Sequence, residues 1–125
     1  MNEIFEPQEL LFRSVADRFW HPNGRLDSYA FINSRKFESG LSVDRDGGRP
    51  PEEAARFLNS RKPGTIISFS VATCAEVCVL VRYCPSPNDV WHSEIHSSET
   101  EVRLTLTQAN HLAKRGNYTI QLKPD

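Results

Sequence analysis

Apolar and polar positions alternate most clearly over Thr65–Val71, where Ile67, Phe69 and Val71 recur at period two among β-branched and aromatic residues. That pattern predicts a strand with one face buried. The same alternation predicts a short strand over Gly40–Asp44 with Leu41 and Val43 inward, one over Val90–His96, and a closing one over Tyr118–Leu122. Two segments carry helical spacing instead. In Pro50–Leu58, Ala54, Phe57 and Leu58 share one face. Pro51 suits the first turn, Glu52 and Glu53 meet the positive end of the helix dipole, and Lys62-Pro63-Gly64 ends it. Thr107–Arg115 predicts a second helix with Thr107 as its cap, Ala109, Leu112 and Ala113 inward and Gly116 as the stop. Three segments fit two readings. Pro7–Val15 is either a short helix opened by Pro7 or a strand over Leu11–Val15. Leu26–Ile32 is a strand or simply extended. Thr73–Val81 is a helix capped by Thr73, or its tail Val79–Tyr83 is a strand. Helices and strands intermix, which predicts one compact α+β domain over residues 1–125: a mixed or antiparallel sheet with two to three short helices.

Composition supports a single core. With 38% apolar residues in 125, two separate cores would be hard to fill. The formal charge of −1 argues against a strongly basic nucleic-acid binder, though not against a local basic patch. The opening Met1–Pro7 carries two acids before any base, unlike a secretory signal. The longest apolar run, Val77–Val81, falls far short of the roughly 20 residues of a membrane span. A soluble, cytoplasmic protein with no membrane partner is therefore expected. Cys74, Cys78 and Cys84 are an odd, clustered set, which fits reduced thiols better than a disulfide framework.

Cys74, Cys78, His92 and His96 come near the spacing of a two-Cys, two-His zinc finger. The histidines of such a finger lie on a helix, whereas Val90–His96 alternates like a strand, and Cys78 sits in an apolar run. His92, Glu94 and His96 would project from one strand face, an arrangement read here as a solvated edge rather than an ion site. No metal is expected. No phosphate-cradling glycine loop occurs, and none of the four histidines has a nucleophile or an orienting acid at a telling spacing.

A longer order of segments carries more. Leu11-Phe12-Arg13 is followed by Ala30-Phe31, Gly40–Val43, the helix over Glu52–Leu58, the strand over Gly64–Val71, and finally Glu99-Thr100-Glu101-Val102-Arg103-Leu104. This order resembles the mono-ADP-ribosyltransferase pattern: an Arg on a first strand, a Ser-bearing strand, a helix, then a Glu-x-Glu turn leading into a strand. The resemblance spans Leu11 to Leu104. It implies NAD as cosubstrate, with Arg13 gripping a phosphate, Ser42 supporting the nicotinamide pocket and Glu101 holding the ribose hydroxyl and developing positive charge. Glu99 would position the acceptor. Phe31, Gly40–Arg45 and a Pro-rich turn before His92 also resemble a family of short bacterial proteins, a likeness that implies a fold and no activity.

Three functions compete. The first is an accessory module that takes no cofactor and binds another protein through exposed Trp20 and Trp91, each beside loop residues. The second is the NAD-using transferase or a degenerate relative, with Arg13, Ser42 and Glu101 converging on one cleft. The third is a nucleic-acid surface. Arg13, Arg18, Arg25, Arg35, Lys36, Arg45 and Arg49 make the first half basic, interleaved with Phe19, Trp20, Tyr29, Phe31 and Phe37.

Overall fold

A computed structural model of the chain describes residues 3–32, 39–115 and 118–122. Its strands are β1 (Leu10–Val15), β2 (Leu41–Arg45), β3 (Thr65–Ser70), β4 (Leu80–Tyr83), β5 (His92–His96) and β6 (Tyr118–Thr119). Its helices are α1 (Pro51–Arg61), α2 (Val71–Ala75) and α3 (Leu106–Lys114). The strands form one sheet in the order β4-β5-β2-β1-β3-β6, and every neighbouring pair is antiparallel. The α+β expectation holds, with the sheet antiparallel rather than mixed. Among the described residues no helix is long and apolar enough to cross a membrane.

The open segments resolve as follows. Within Pro7–Val15 the strand reading holds, over Leu10–Val15, because Leu11, Phe12 and Val15 all find cores on opposite faces of the sheet. Leu26–Ile32 is not a strand: Ser28–Phe31 form a 3-10 turn whose start is held by the Asp27 side chain accepting from the Tyr29 amide. The helix expected from Thr73 instead starts at Val71, capped by Ser70, and ends by Ala75. Cys78 then takes a left-handed φ of 60°, which reverses the chain into β4. The last helix begins at Leu106, capped by Thr105 rather than Thr107. Thr105 and Gln108 satisfy each other's backbone amides in a capping box, a stronger arrangement than Thr107 alone could make. Trp91 precedes β5 rather than joining it, and the final strand is confined to Tyr118–Thr119. Gly116, the expected stop of α3, lies outside the described residues.

The two faces of the sheet are covered unequally. On one face Leu11, Val15, Leu41, Val43, Ile67, Phe69 and Ile95 form the main core against α2, α3 and the 3-10 turn. Phe31 meets Phe69 edge-on with ring centroids 5.5 Å apart. On the other face α1 lays Ala54, Ala55 and Leu58 over Phe12 and Ile66. That second core sits on β1 and β3. Across β2, β5 and β4 the register places Ser42, Asp44, His92, Glu94, His96 and Arg82 on the same side of the sheet as Phe12. One half of this face is therefore apolar under a helix, and the other half is polar.

Candidate functional site

The polar half begins where β1 and β2 part. β1 pairs with β3 along its whole length, but with β2 only at Leu11↔Arg45 and Phe12↔Asp44. Arg13, the next residue, fills the opening. Its Nε donates to the Ala30 carbonyl and its Nη1 to the Ser42 carbonyl, both at 3.0 Å. Among the described residues no carboxylate pairs with it, and burial alone lowers its pKa to about 10. A half-buried guanidinium without a counter-charge is costly to hold, and the two carbonyls offset part of that cost.

Arg13 lines a cavity on each side. The larger, about 450 Å³, is shared with Arg18, Phe19, Tyr29, Ile32 and Arg103. Three guanidiniums stand here beside two aromatic rings. Arg18 stacks on Phe19 at 4.6 Å, and Tyr29 is 58% exposed, leaving its ring open to a ligand.

The smaller cavity, about 70 Å³, lies on the polar half-face next to the end of α1, with Ser42, Asp44, Asp89 and His92 in its wall. His92 Nδ1 lies 2.8 Å from the Cys84 carbonyl, which can only accept, so Nδ1 carries the proton in the neutral ring. Nε2 is then the acceptor for the Ser42 hydroxyl, 3.2 Å away. This pairing arises because Ser42 on β2 stands two residues, and so on the same face, from Asp44, the residue opposite His92 on β5.

Asp44 is 1% exposed, and its Oδ2 has no ordinary hydrogen-bond donor. Burial first, then the Asp89 carboxyl beside it, pushes its pKa up to about 8, against the smaller opposing pull of Arg49 and Arg61. A proton shared between the two carboxyls relieves their repulsion, so this environment favours Asp44 as the protonated acid. Asp89 is fixed for this by the Trp91 amide, which donates to its Oδ1 at 3.0 Å.

The predicted site residues separate. Arg13 and Ser42 come together, joined by the guanidinium–carbonyl bond. The Ser42 hydroxyl, expected to support a nicotinamide pocket, is directed instead at His92. Glu99 and Glu101 are exposed in the segment after β5, where the Glu101 amide donates to Ser98 Oγ. That segment does not lead into a strand. Exposure alternates from Glu101 to Leu104, and Arg103, two residues past Glu101, lines the larger cavity. Trp20 is half-buried against the main core with its Nε1 enclosed. Trp91 is half-buried with the Arg49 guanidinium 4.0 Å above its ring. Among the described residues the exposed large apolar ones are Ile4, Tyr29, Val90 and Leu106. Of the basic and aromatic residues of the first half, Arg35, Lys36 and Phe37 lie outside the described residues.

The expected solvated edge at His92, Glu94 and His96 is not an edge: β5 lies between β4 and β2, and the three side chains are half-buried. Glu94 Oε1 accepts from the Gly40 amide at 2.9 Å and sits 3.0 Å from His96 Nε2. Gly40 is needed there, because a Cβ would meet the His96 ring at 2.6 Å. Among the described residues no group of three or more His, Cys, Asp or Glu side chains is arranged to hold a metal ion. No protein-family model matches the chain, and no curated protein or solved structure matches it.

Proposed function

We propose that this protein binds a nucleotide-class anion of dinucleotide size in the cleft between Arg13 and Tyr29, and that the ligand is NAD, as the likeness to mono-ADP-ribosyltransferases implies. The observation that carries this reading is Arg13: half-buried, without a carboxylate partner among the described residues, and lining a cavity of about 450 Å³ together with Arg18 and Arg103. That volume lies in the range of small-molecule sites, roughly 300–1,000 Å³. Guanidiniums suit phosphate oxygens, and the open face of Tyr29 suits a base. Bound NAD supplies a glycosidic bond to nicotinamide that breaks with positive charge developing on the ribose. Glu101, exposed and two residues from Arg103 in the sequence, is the carboxylate this reading assigns to that charge. Trp20 and Trp91, the anchors of a protein-binding reading, are both half-buried, whereas the Tyr29 ring beside the cleft is exposed.

Calorimetry with NAD, and separately with ADP, tests the proposal. Binding to both is expected, weakened at least about tenfold by Arg13→Met and by Arg18→Ala with Arg103→Ala. Glu101→Gln is expected to leave binding intact and abolish transfer of ADP-ribose. No heat with either ligand at about millimolar concentration would end this reading.

A further inference from the structure

We infer that Ser42 and His92 form a nucleophile–base pair that accepts a small acyl group from an activated ester, in the cavity on the opposite side of Arg13 from the nucleotide cleft. The geometry has the parts such chemistry needs. The nucleophile and base are in hydrogen-bond reach, Ser42 Oγ to His92 Nε2 at 3.2 Å. The base is oriented by a third group, since the Cys84 carbonyl at 2.8 Å fixes the proton on Nδ1 and leaves the Nε2 lone pair toward the hydroxyl. Both residues sit on strands held in register by the β2–β5 ladder, so neither depends on loop geometry. Positive charge is present for a developing oxyanion: Arg61 and Lys62, at the end of α1, line the same cavity.

The size of the cavity sets the substrate class. About 70 Å³ holds the liquid volume of roughly two water molecules. An acetyl-sized group fits this space and a long acyl chain does not, so the leaving alcohol must remain outside. In the reaction Ser42 Oγ adds to the ester carbonyl carbon while His92 Nε2 takes the hydroxyl proton. The bond from carbonyl carbon to the alcohol oxygen breaks, and the imidazolium returns the proton to that oxygen. A water molecule then repeats the sequence against the acyl-serine, releasing a carboxylic acid and restoring the hydroxyl. No oxidant, reductant or metal enters the balance.

The test is incubation of the full chain with p-nitrophenyl acetate, following nitrophenolate release and mapping the acetyl group by peptide mass. One acetyl on Ser42 is expected. The rate should fall at least about 100-fold in Ser42→Ala and in His92→Gln, the order attributed to a positioned general base. Ser60→Ala, on the exposed side of α1, should react as the parent does. Far-UV circular dichroism checks that each variant folds. Should His92→Gln fail that check, the parent's own pH–rate profile decides: acylation controlled by one ionisation in the histidine range supports the pair. A rate simply proportional to hydroxide overturns it. Acetylation spread over lysines, equal rates in folded His92→Gln, or no acylation at all would likewise overturn it.

Discussion

Asp44→Asn is the most informative single change. Asp44 is 1% exposed, and its pKa is raised from 3.8 to about 8 by burial and by Asp89. Between those values the folded chain keeps a proton that the unfolded chain has lost. Folding then binds protons, so stability falls as pH rises, by up to about 1.4 kcal/mol per pH unit from this one group. Carried from about pH 5 to about pH 8, the loss comes to a few kcal/mol, which is large against the roughly 5–15 kcal/mol that holds a typical domain together. Asparagine mimics the protonated acid: it keeps a donor toward Asp89 and cannot ionise. Urea denaturation of both proteins at the two pH values measures the difference directly. The parent should lose midpoint stability over this interval, whereas Asp44→Asn should be nearly flat and should overtake the parent at the alkaline end. Parallel pH dependences in the two proteins would show that Asp44 is ionised in the native state, and the carboxylic-acid assignment would fail.

Other perturbations address other parts of the structure. Glu9→Gln breaks the buried pair in which Glu9 Oε1 and Oε2 each lie 2.7 Å from the Arg45 guanidinium. Removing that carboxylate from the buried Arg45 should cost about 3–5 kcal/mol in a chemical-denaturation experiment. Burial raises the Glu9 pKa, but the Arg45 bond, the Gly47 amide and the Arg45 charge together bring it below its ordinary value. Its stabilising contribution is therefore full above about pH 5 and is lost as pH falls through the folded pKa, visible as an acid limb that Glu9→Gln removes. Gly40→Ala should destabilise by about 1–3 kcal/mol, because its Cβ would meet the His96 ring at 2.6 Å and the Ile95 carbonyl at 2.7 Å. A thermal melt equal to the parent's would refute that contact. Leu112→Ala opens the main core from α3 and should cost about 2–5 kcal/mol by denaturant titration.

How much of this was legible in the sequence depended on whether a signal was local. β3 and α1 were read because period-two and period-3.6 burial write themselves into a few adjacent residues, as Ile67 and Phe69 or Ala54 and Leu58 do. α1 nevertheless runs on to Arg61, since nothing breaks it before Lys62-Pro63. The displaced caps of α2 and α3 show the same limit at finer grain. Two hydroxyls stand near each start, and the backbone chose Ser70 over Thr73 and Thr105 over Thr107. At α3 the choice follows from Gln108, which completes a reciprocal cap only for the residue three before it. That signature was present in the sequence as Thr-x-x-Gln.

The site was legible only in part, for a different reason. Arg13 and Ser42 were picked out by the order of segments, and the structure joins them across the opening between β1 and β2. His92 offered no sequence clue to its partner because Ser42 is 50 residues away. The juxtaposition follows only once the strand order places β5 beside β2 and the register sets Asp44 opposite His92. A shift of that register by one residue would turn Ser42 and Asp44 into the main core and bring Val43 out beside His92. Burying Leu41 and Val43 on the core face is therefore what fixes the polar face on the other side. The same apolar alternation that identified β2 as a strand holds the Ser42 hydroxyl against an imidazole and keeps Asp44 enclosed beside Asp89. The chemistry of this face depends on the packing of its reverse: cutting Val43 back to alanine should loosen the Ser42–His92 pair although neither residue is touched, and a His92 ring signal in NMR that stayed unchanged in Val43→Ala would contradict that dependence.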